Sequence, residues 1–291
     1  MNVPQLAGKT CLVTGASRGL GRAIATRFWA EGANLVLAVR NPGAVASLLA
    51  ELGRADGQSS LVVPLDLQDL DSASSLIDRA VAMGAGKIDA LVNNAAVQGP
   101  IGKTWETPAQ AWNDAIVADL VAPSLICRAA VPLMGRQGGG AIINLSGGGA
   151  TGPRANFSAY ATAKAGLVRF SETLAEEAKP LGVAVNCVAP GPMGTDMLAT
   201  VQQAGLAAAG EREIAAARKA LAGGNETLVA AVDLIVFLAA SGGQGVTGKL
   251  ISALWDNWRD FPAHVAELGG SDVYTLRRIT GRERGIAWCD K

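Results

Sequence analysis

Seven short apolar runs punctuate the chain, at residues 11–13, 35–39, 61–65, 90–92, 141–145, 183–188 and 250–254. Within each run apolar residues follow one another instead of alternating with polar ones, the pattern of a strand covered on both faces. Between them lie stretches long enough for helices, at 20–31, 70–83, 108–134, 157–179 and 226–239. Repeated β-α units of this kind predict an α/β fold, a doubly wound parallel sheet of about seven strands with helices on both faces. No solenoid-length period recurs and no Pro/Ser linker divides the chain, so a single domain is expected over residues 1–254.

Two regions break the pattern. Residues 196–224 are rich in Ala and Gly with scattered charges, and read either as a mobile helical flap or as an amphipathic surface helix. Residues 255–291 follow the last predicted strand and hold Trp255, Trp258, Trp288 and Tyr274. That aromatic extension is too short to be an independent domain. Three roles stay open for it: covering a pocket, packing on a neighbouring subunit, or packing on its own surface.

Composition narrows the function. The 291 residues, 49% hydrophobic and 17% charged, can bury a substantial core and do not read as disordered. Lys and Arg total 25 and balance 25 Asp and Glu, with no basic run, so no nucleic-acid partner is expected. No apolar run reaches the roughly 18–20 residues of a membrane helix, and Pro4 with Gly8-Lys9-Thr10 interrupts any signal peptide. Cys11, Cys127, Cys187 and Cys289 lack CxxC spacing and read as inert residues of a reducing compartment. A soluble cytoplasmic protein is the expectation. The single histidine, His264, excludes a multi-His metal site, so no metal is expected, and it leaves a Ser-His-Asp hydrolase one candidate base.

The first apolar run leads into Thr14-Gly15-Ala16-Ser17-Arg18-Gly19-Leu20-Gly21, which opens the first helical stretch. Gly15 permits a tight turn, Gly19 lets backbone approach a pyrophosphate, and Gly21 lets helix and strand pack closely. Free N–H groups at the helix start then face the anion. The second run ends on Val39-Arg40 where a carboxylate would select NAD(H) by binding the adenosine ribose. With Arg18 and Arg40 and no acid, the loop favours NADP(H), while NAD(H) stays possible.

Tyr160 and Lys164 stand four residues apart and share one helix face. A free phenol, with a pKa near 10, is a poor base at neutral pH; a neighbouring ammonium stabilises the phenolate and makes it a usable general acid/base. Ser146 precedes this helix by one strand-to-helix turn.

With these motifs the chain resembles the short-chain dehydrogenase/reductase family in its short single-domain form. The resemblance covers roughly residues 8–248. It rests on Thr14-Gly15-x-x-x-Gly19-x-Gly21, Asp66-Leu67, Asn93-Asn94-Ala95-Ala96, Ser146, Tyr160-x-x-x-Lys164, Pro190-Gly191-Pro192-Met193-Gly194-Thr195 and Val246-Thr247-Gly248. It implies a Rossmann fold and an NAD(P)-dependent oxidoreductase acting on CH–OH/C=O groups. Asp66 would bind the adenine amino group, with Leu67 adding a backbone contact, and Asn93 and Ala95 would line the adenosine side. Pro190, Gly191, Met193 and Thr195 would hold the nicotinamide amide, and Lys164 its ribose. Ser146 and Tyr160 would hydrogen-bond the substrate oxygen, Tyr160 passing the proton as hydride moves. Assembly as a homodimer or homotetramer, through helices near 108–134 and 157–179, is implied in the same way.

Three departures stand out. Asp119 occupies the place where the family usually has an Asn whose main chain holds a water of the proton relay. Ser146 precedes Tyr160 by 14 positions where 13 is usual; the usual position is Gly147, and the run Gly147-Gly148-Gly149 can absorb a residue, with Ser158 or Thr151 as fallbacks. The extension beyond 254 is the third. The leading expectation is an NADP(H)-dependent reductase or dehydrogenase of a small-molecule carbonyl or alcohol, with Met193, Met197, Leu198 and Val201 flanking an apolar substrate. Arg212, Arg218 and Lys219 could select an anionic substrate or form a solvated helix face. The alternative is a non-catalytic NADP(H) sensor or structural subunit, favoured by Asp119 and the Ser146 spacing.

Overall fold

All seven apolar runs become strands of one parallel sheet: β1 (Thr10–Thr14), β2 (Asn34–Val39), β3 (Ser60–Pro64), β4 (Ala90–Asn93), β5 (Gly140–Leu145), β6 (Val183–Ala189) and β7 (Leu250–Ser252). The computed structural model describes residues 4–240, 245–286 and 288; Cys289 lies outside them. The strand order is β3-β2-β1-β4-β5-β6-β7, so the winding reverses between β1 and β4. That reversal opens a crevice at the carboxyl ends of the strands. The register keeps those ends level, with Thr14 opposite Ala38, Asn93 opposite Asn144 and Leu145 opposite Val188.

The helices are α1 (Gly19–Ala30), α2 (Ala46–Leu52), α3 (Leu70–Ser74), α4 (Leu76–Ala80), α5 (Ala109–Ile116), α6 (Ala122–Arg136), α7 (Ser158–Ala178), α8 (Asp196–Ala209), α9 (Glu211–Leu221), α10 (Glu226–Ala240) and α11 (Val265–Gly269). Successive strand residues point to opposite faces, so each strand feeds two cores. Val13, Leu37 and Ile143 pack with Ile24 and Phe28 of α1 and Ile235 and Leu238 of α10. Leu12, Leu91 and Ile142 pack with Ile77 of α4, Ile126 and Met134 of α6 and Leu174 of α7.

Local chemistry modifies the expected helices. The stretch expected at 70–83 breaks at Ser75, whose hydroxyl donates to the Asp71 carbonyl at 2.7 Å, after Asp69 has capped the start. The stretch expected at 108–134 is continuous from Ala109 to Arg136 but contains a π-helical turn, Val117–Val121. Pro123 has no N–H for the Asp119 carbonyl four residues earlier, and the Ala122 N–H reaches back to Val117 instead. This helix is long and apolar enough to cross a membrane, which the sequence did not suggest because Asp114, Asp119 and Arg128 interrupt its apolar positions. In the fold, 44% of its most apolar window is buried.

Residues 196–224 form α8 and α9, bent at Gly205 (φ 77°) and separated by Gly210 (φ 88°). Val201, Ala209, Ile214 and Ala217 bury a small cluster of their own against Phe157. The segment is therefore a two-helix cover tied to the loop before α7. The extension packs on its own chain: Trp258 lies against Phe237 of α10 at 5.4 Å between ring centres, and Phe261 against Tyr274 at 5.3 Å. Its irregular segment 271–276 runs beside β7. The Tyr274 carbonyl accepts the outward N–H of Leu250, and the Lys249 ammonium, buried at its base, donates to the carbonyls of Ser271 and Val273 at 2.8 and 3.0 Å. The Asp256 carboxylate accepts the N–H of Ser252 at 2.6 Å.

Candidate active site

A cleft of about 1120 Å³ opens at the carboxyl ends of the strands, large enough for a dinucleotide and a small substrate. Gly15, Ser17, Arg18, Gly19, Leu20 and Gly21 line one end. The glycines there are sterically required. A Cβ on Gly21 would sit 2.3 Å from the Gly15 carbonyl oxygen, and one on Gly15 would meet Ala95 at 2.9 Å. With no side chain in the way, the backbone of the loop forms a cradle at the start of α1, which fits a pyrophosphate. Asn94 locks this cradle to β4, its side-chain amide donating to the carbonyls of Thr14 and Gly15 at 2.9 and 3.3 Å. The Thr14 hydroxyl accepts the N–H groups of Asn94 and Ala95, each at 3.0 Å.

Arg40, Asp66, Leu67 and Ala95 continue the wall, and Pro190, Gly191, Met193 and Thr195 face it from the other side. Arg40 is exposed and has no ion pair among the described residues, whereas Arg18 pairs with Asp196 at 2.6 Å on the surface. Such an exposed pair contributes at most about 1 kcal/mol, so it yields readily to a ligand. Asn93 corrects one expectation, because its side chain does not reach the cleft. It points with Leu91 into the helix-covered face and donates to Asn144 Oδ1 at 2.8 Å. Strand alternation carries that signal: two positions after a core leucine lies a core-facing residue.

At the substrate end, Tyr160 and Lys164 project from α7 as the helical spacing requires. The Lys164 ammonium lies 5.5 Å from the Tyr160 ring centre and donates to the Leu145 carbonyl at 3.1 Å. Asp119 sits behind Lys164, outside the cleft lining, held by the π-helical turn. Its Oδ1 accepts the Val97 N–H at 2.8 Å and its Oδ2 lies 3.6 Å from the Lys164 ammonium, both side chains being buried. Burial pushes the Asp119 carboxyl above its usual range, against the pull of Lys164. Burial alone would depress the Lys164 ammonium, but Asp119 and Tyr160 beside it hold it above its ordinary value. Burial raises the Tyr160 phenol; Lys164 draws it down, Asp119 raises it further, and Arg154 draws it down.

The serine position has an unexpected geometry. Ser146 ends the β5 ladder, its N–H on the Val188 carbonyl, and its hydroxyl is buried with no partner among the described residues. Gly147, not Ser146, abuts the phenol: a Cβ there would lie 2.3 Å from the Tyr160 oxygen. Of the fallbacks, the Ser158 hydroxyl accepts from the Trp112 indole at 3.1 Å, while Thr151 stays exposed on the cleft lining. Met193, Met197 and Leu198 line the cleft, as does Arg212; Val201 is buried in the α8–α9 cluster, and Arg218 and Lys219 stand away from the cleft. His264 is a surface residue beside Glu267, remote from this lining, so no Ser-His-Asp triad is assembled. No cluster of three metal-ligating side chains occurs among the described residues.

The sequence profile of the short chain dehydrogenase family matches residues 9–205. A short chain dehydrogenase/reductase from Colletotrichum higginsianum is 37% identical over 199 residues, 67% of this chain and 74% of that protein. The 3-oxoacyl-[acyl-carrier-protein] reductase of Salmonella typhimurium is 34% identical over 247 residues, 84% of this chain and 95% of the relative. A solved short-chain dehydrogenase/reductase from Burkholderia xenovorans is 32% identical, with a TM-score of 0.72 over 86% of this chain and 96% of that one. Two others, each 25% identical with a TM-score of 0.74, are an NAD+-bound xylitol dehydrogenase, covering 85% of this chain and 98% of its own, and a short chain dehydrogenase from Shigella flexneri complexed with NADP, covering 87% and 99%. The chain belongs to the short-chain dehydrogenase/reductase family, whose members are oxidoreductases of CH–OH and C=O groups with NAD(P) as cofactor.

Proposed function

We propose that this protein is an NADP(H)-dependent oxidoreductase interconverting a small-molecule carbonyl and a secondary alcohol, with Tyr160 as general acid/base. The observation that carries this reading is a phenol without a hydrogen-bond partner among the described residues, beside a buried ammonium, in the same cleft as a glycine cradle. Gly15 to Gly21 would hold the pyrophosphate, Asp66 and Leu67 the adenine, Arg18 and Arg40 a 2′-phosphate, and Pro190 to Thr195 with Lys164 the nicotinamide riboside. The bound cofactor would supply or take up the hydride. In reduction Tyr160 gives its proton to the carbonyl oxygen, and Lys164 holds the resulting phenolate; in oxidation both roles reverse. The Asp119 main chain would serve the proton relay, and Ser146, at the end of β5, would line the substrate oxygen's side. The NADP-complexed relative and the cations at 18 and 40 support NADP(H), though the NAD+-bound relative keeps NAD(H) in play.

The same reading places the protein in the cytoplasm, in keeping with the free, buried Cys11, Cys127 and Cys187. It would be a homodimer or homotetramer built on α6 and α7, a reading that the half-buried apolar positions Leu120, Val121, Leu125 and Leu133 of Ala109–Arg136 support. A non-catalytic NADP(H) sensor is the second reading, favoured by Gly147 at the serine position and by Asp119 competing for Lys164. Titration with NADPH and NADH, followed by a screen of aldehydes and ketones, separates the two. Turnover that falls about 10²–10⁴-fold in Tyr160→Phe, with NADPH affinity kept within a fewfold, supports the enzyme. Tight binding without turnover on any carbonyl supports the sensor.

A further inference from the structure

Arg154 lies on the loop between β5 and α7 with its side chain 16% exposed, and its guanidinium is fixed on two sides. Its Nε and Nη2 donate to Glu213 Oε2 of α9 at 3.0 and 2.7 Å. Its plane covers the Phe157 ring at 3.9 Å. The remaining nitrogen, Nη1, has no partner among the described residues and faces the strip next to Tyr160, 3.6 Å from where a Gly148 Cβ would lie. Arg212, also on the cleft lining, has no ion pair among the described residues either.

The two ends of this arrangement ask for different groups on one ligand. Tyr160 addresses the reacting oxygen. The Arg154 guanidinium lies over the Tyr160 ring, 5.8 Å from its centre, and makes no hydrogen bond to the phenol. An oxygen held on Nη1 therefore belongs to a group displaced from the one that takes the Tyr160 proton. A largely buried cation with an unused N–H edge favours an anion there, since charge-assisted hydrogen bonds are roughly twice as strong as neutral ones. Gly147 and Gly148 contribute no side chain to the intervening space, so a flat carboxyl group has room.

We propose that Arg154 anchors a substrate carboxylate one or two carbons from the reacting carbon, so that the substrate class is a short oxo acid or hydroxy acid. Glu213 is the positioning residue that fixes the guanidinium and, with it, seats α9 over the cleft. This inference rests on the carbonyl-reductase reading above, and its test separates the two.

Binding is measured first by calorimetry on protein saturated with NADP+, using benzoate and its uncharged counterpart benzamide. Benzoate is expected to bind at least about tenfold more tightly than benzamide, a difference in keeping with a charge-assisted bond. Arg154→Gln should abolish the difference, and Arg154→Lys should keep part of it. Glu213→Gln should narrow the benzoate-over-benzamide preference a fewfold by loosening the guanidinium while leaving benzamide binding unchanged, a selective loss that a general loss of structure would not produce. An unchanged preference would remove Glu213 from the positioning role. Equal binding of the two probes by the unaltered protein, or discrimination that survives Arg154→Gln, overturns the proposal. Turnover is then compared on phenylglyoxylate and its methyl ester. In Arg154→Gln the KM for the acid should rise at least tenfold relative to that for the ester, whereas any change in kcat that arises through the Tyr160 phenol is shared by both substrates. An equal rise in KM for the acid and the ester would overturn the carboxylate assignment. Benzoate discrimination without turnover on any carbonyl would keep the anion site and defeat the reductase reading alone.

Discussion

A carboxylate at position 119 changes what Lys164 can do for Tyr160. Lys164 lowers the phenol's pKa, but Asp119, 3.6 Å from the same ammonium, raises it, adding to burial. The titratable groups around the pair are Arg154 over the Tyr160 ring and, beyond Lys164, Cys187, whose thiol burial pushes up to about 12 and so keeps neutral. In the proposed mechanism alcohol oxidation requires the Tyr160 phenolate, so its rate is expected to climb as the pH passes the Tyr160 pKa. Asp119→Asn keeps an acceptor for the Val97 N–H and removes the negative charge. Both the phenol and the ammonium then titrate lower, and the rising limb of the pH–rate profile should move to lower pH. A limb that stays in place or moves upward would show that Asp119 does not act on the phenol. Asp119→Ala is the poorer variant, because an uncompensated buried ammonium costs about 3–5 kcal/mol of stability. The identities Tyr160, Lys164 and Asp119 were legible in the sequence. The ion pair between Lys164 and Asp119 was not, since it depends on a π-helical turn that Pro123 creates three-dimensionally, and nothing in the sequence put Arg154 near Tyr160.

Elements were read best where period and chemistry agreed. All seven strands follow from two-sided apolar runs, and the cradle follows from a glycine pattern that the fold uses for clearance. Asn94 was harder, because two adjacent asparagines look alike until strand alternation sends Asn93 to the core and leaves Asn94 to lock the loop. The cover over the cleft was legible as helical but not as two helices. Its bend depends on Gly205 and Gly210 at positive φ, and its anchor is Phe157, far away in sequence. A direct check on the cradle is Gly21→Ala. The new methyl would lie 2.3 Å from the Gly15 carbonyl oxygen and 2.4 Å from the Asn94 amide. Overpacking of this kind costs about 1–3 kcal/mol, so Tm should fall and NADPH should bind at least about tenfold more weakly. Unchanged affinity, read by fluorescence titration, would mean that the loop is not the pyrophosphate site.

At the scale of the whole molecule, composition suggested a globular α/β chain but left the extension undecided among three roles. Its packing on α10, β7 and α7 comes from contacts with no local signature: Lys249 beneath it, the Glu172 carboxylate receiving the Leu276 N–H at 2.6 Å, and Tyr274 held at φ 61° against Phe261. A bulky residue at such a φ costs about 1–3 kcal/mol, which the surrounding contacts must offset. Removing residues from 257 onward would strip Lys249 of its carbonyl partners and bare the Phe237 side of α10. Tm should fall by several degrees, and light scattering should report association on warming. A truncated chain that melts and scatters like the full one would make the extension dispensable.

The outward N–H groups of β7 are both taken, one by the Tyr274 carbonyl and one by the Asp256 carboxylate. An unpaired strand at the rim of a sheet is a template on which foreign strands can crystallise. Here the chain has written its own last line along that margin, so the sheet ends where the sequence ends it. Strand-by-strand growth into fibres has no free rim on this side from which to begin.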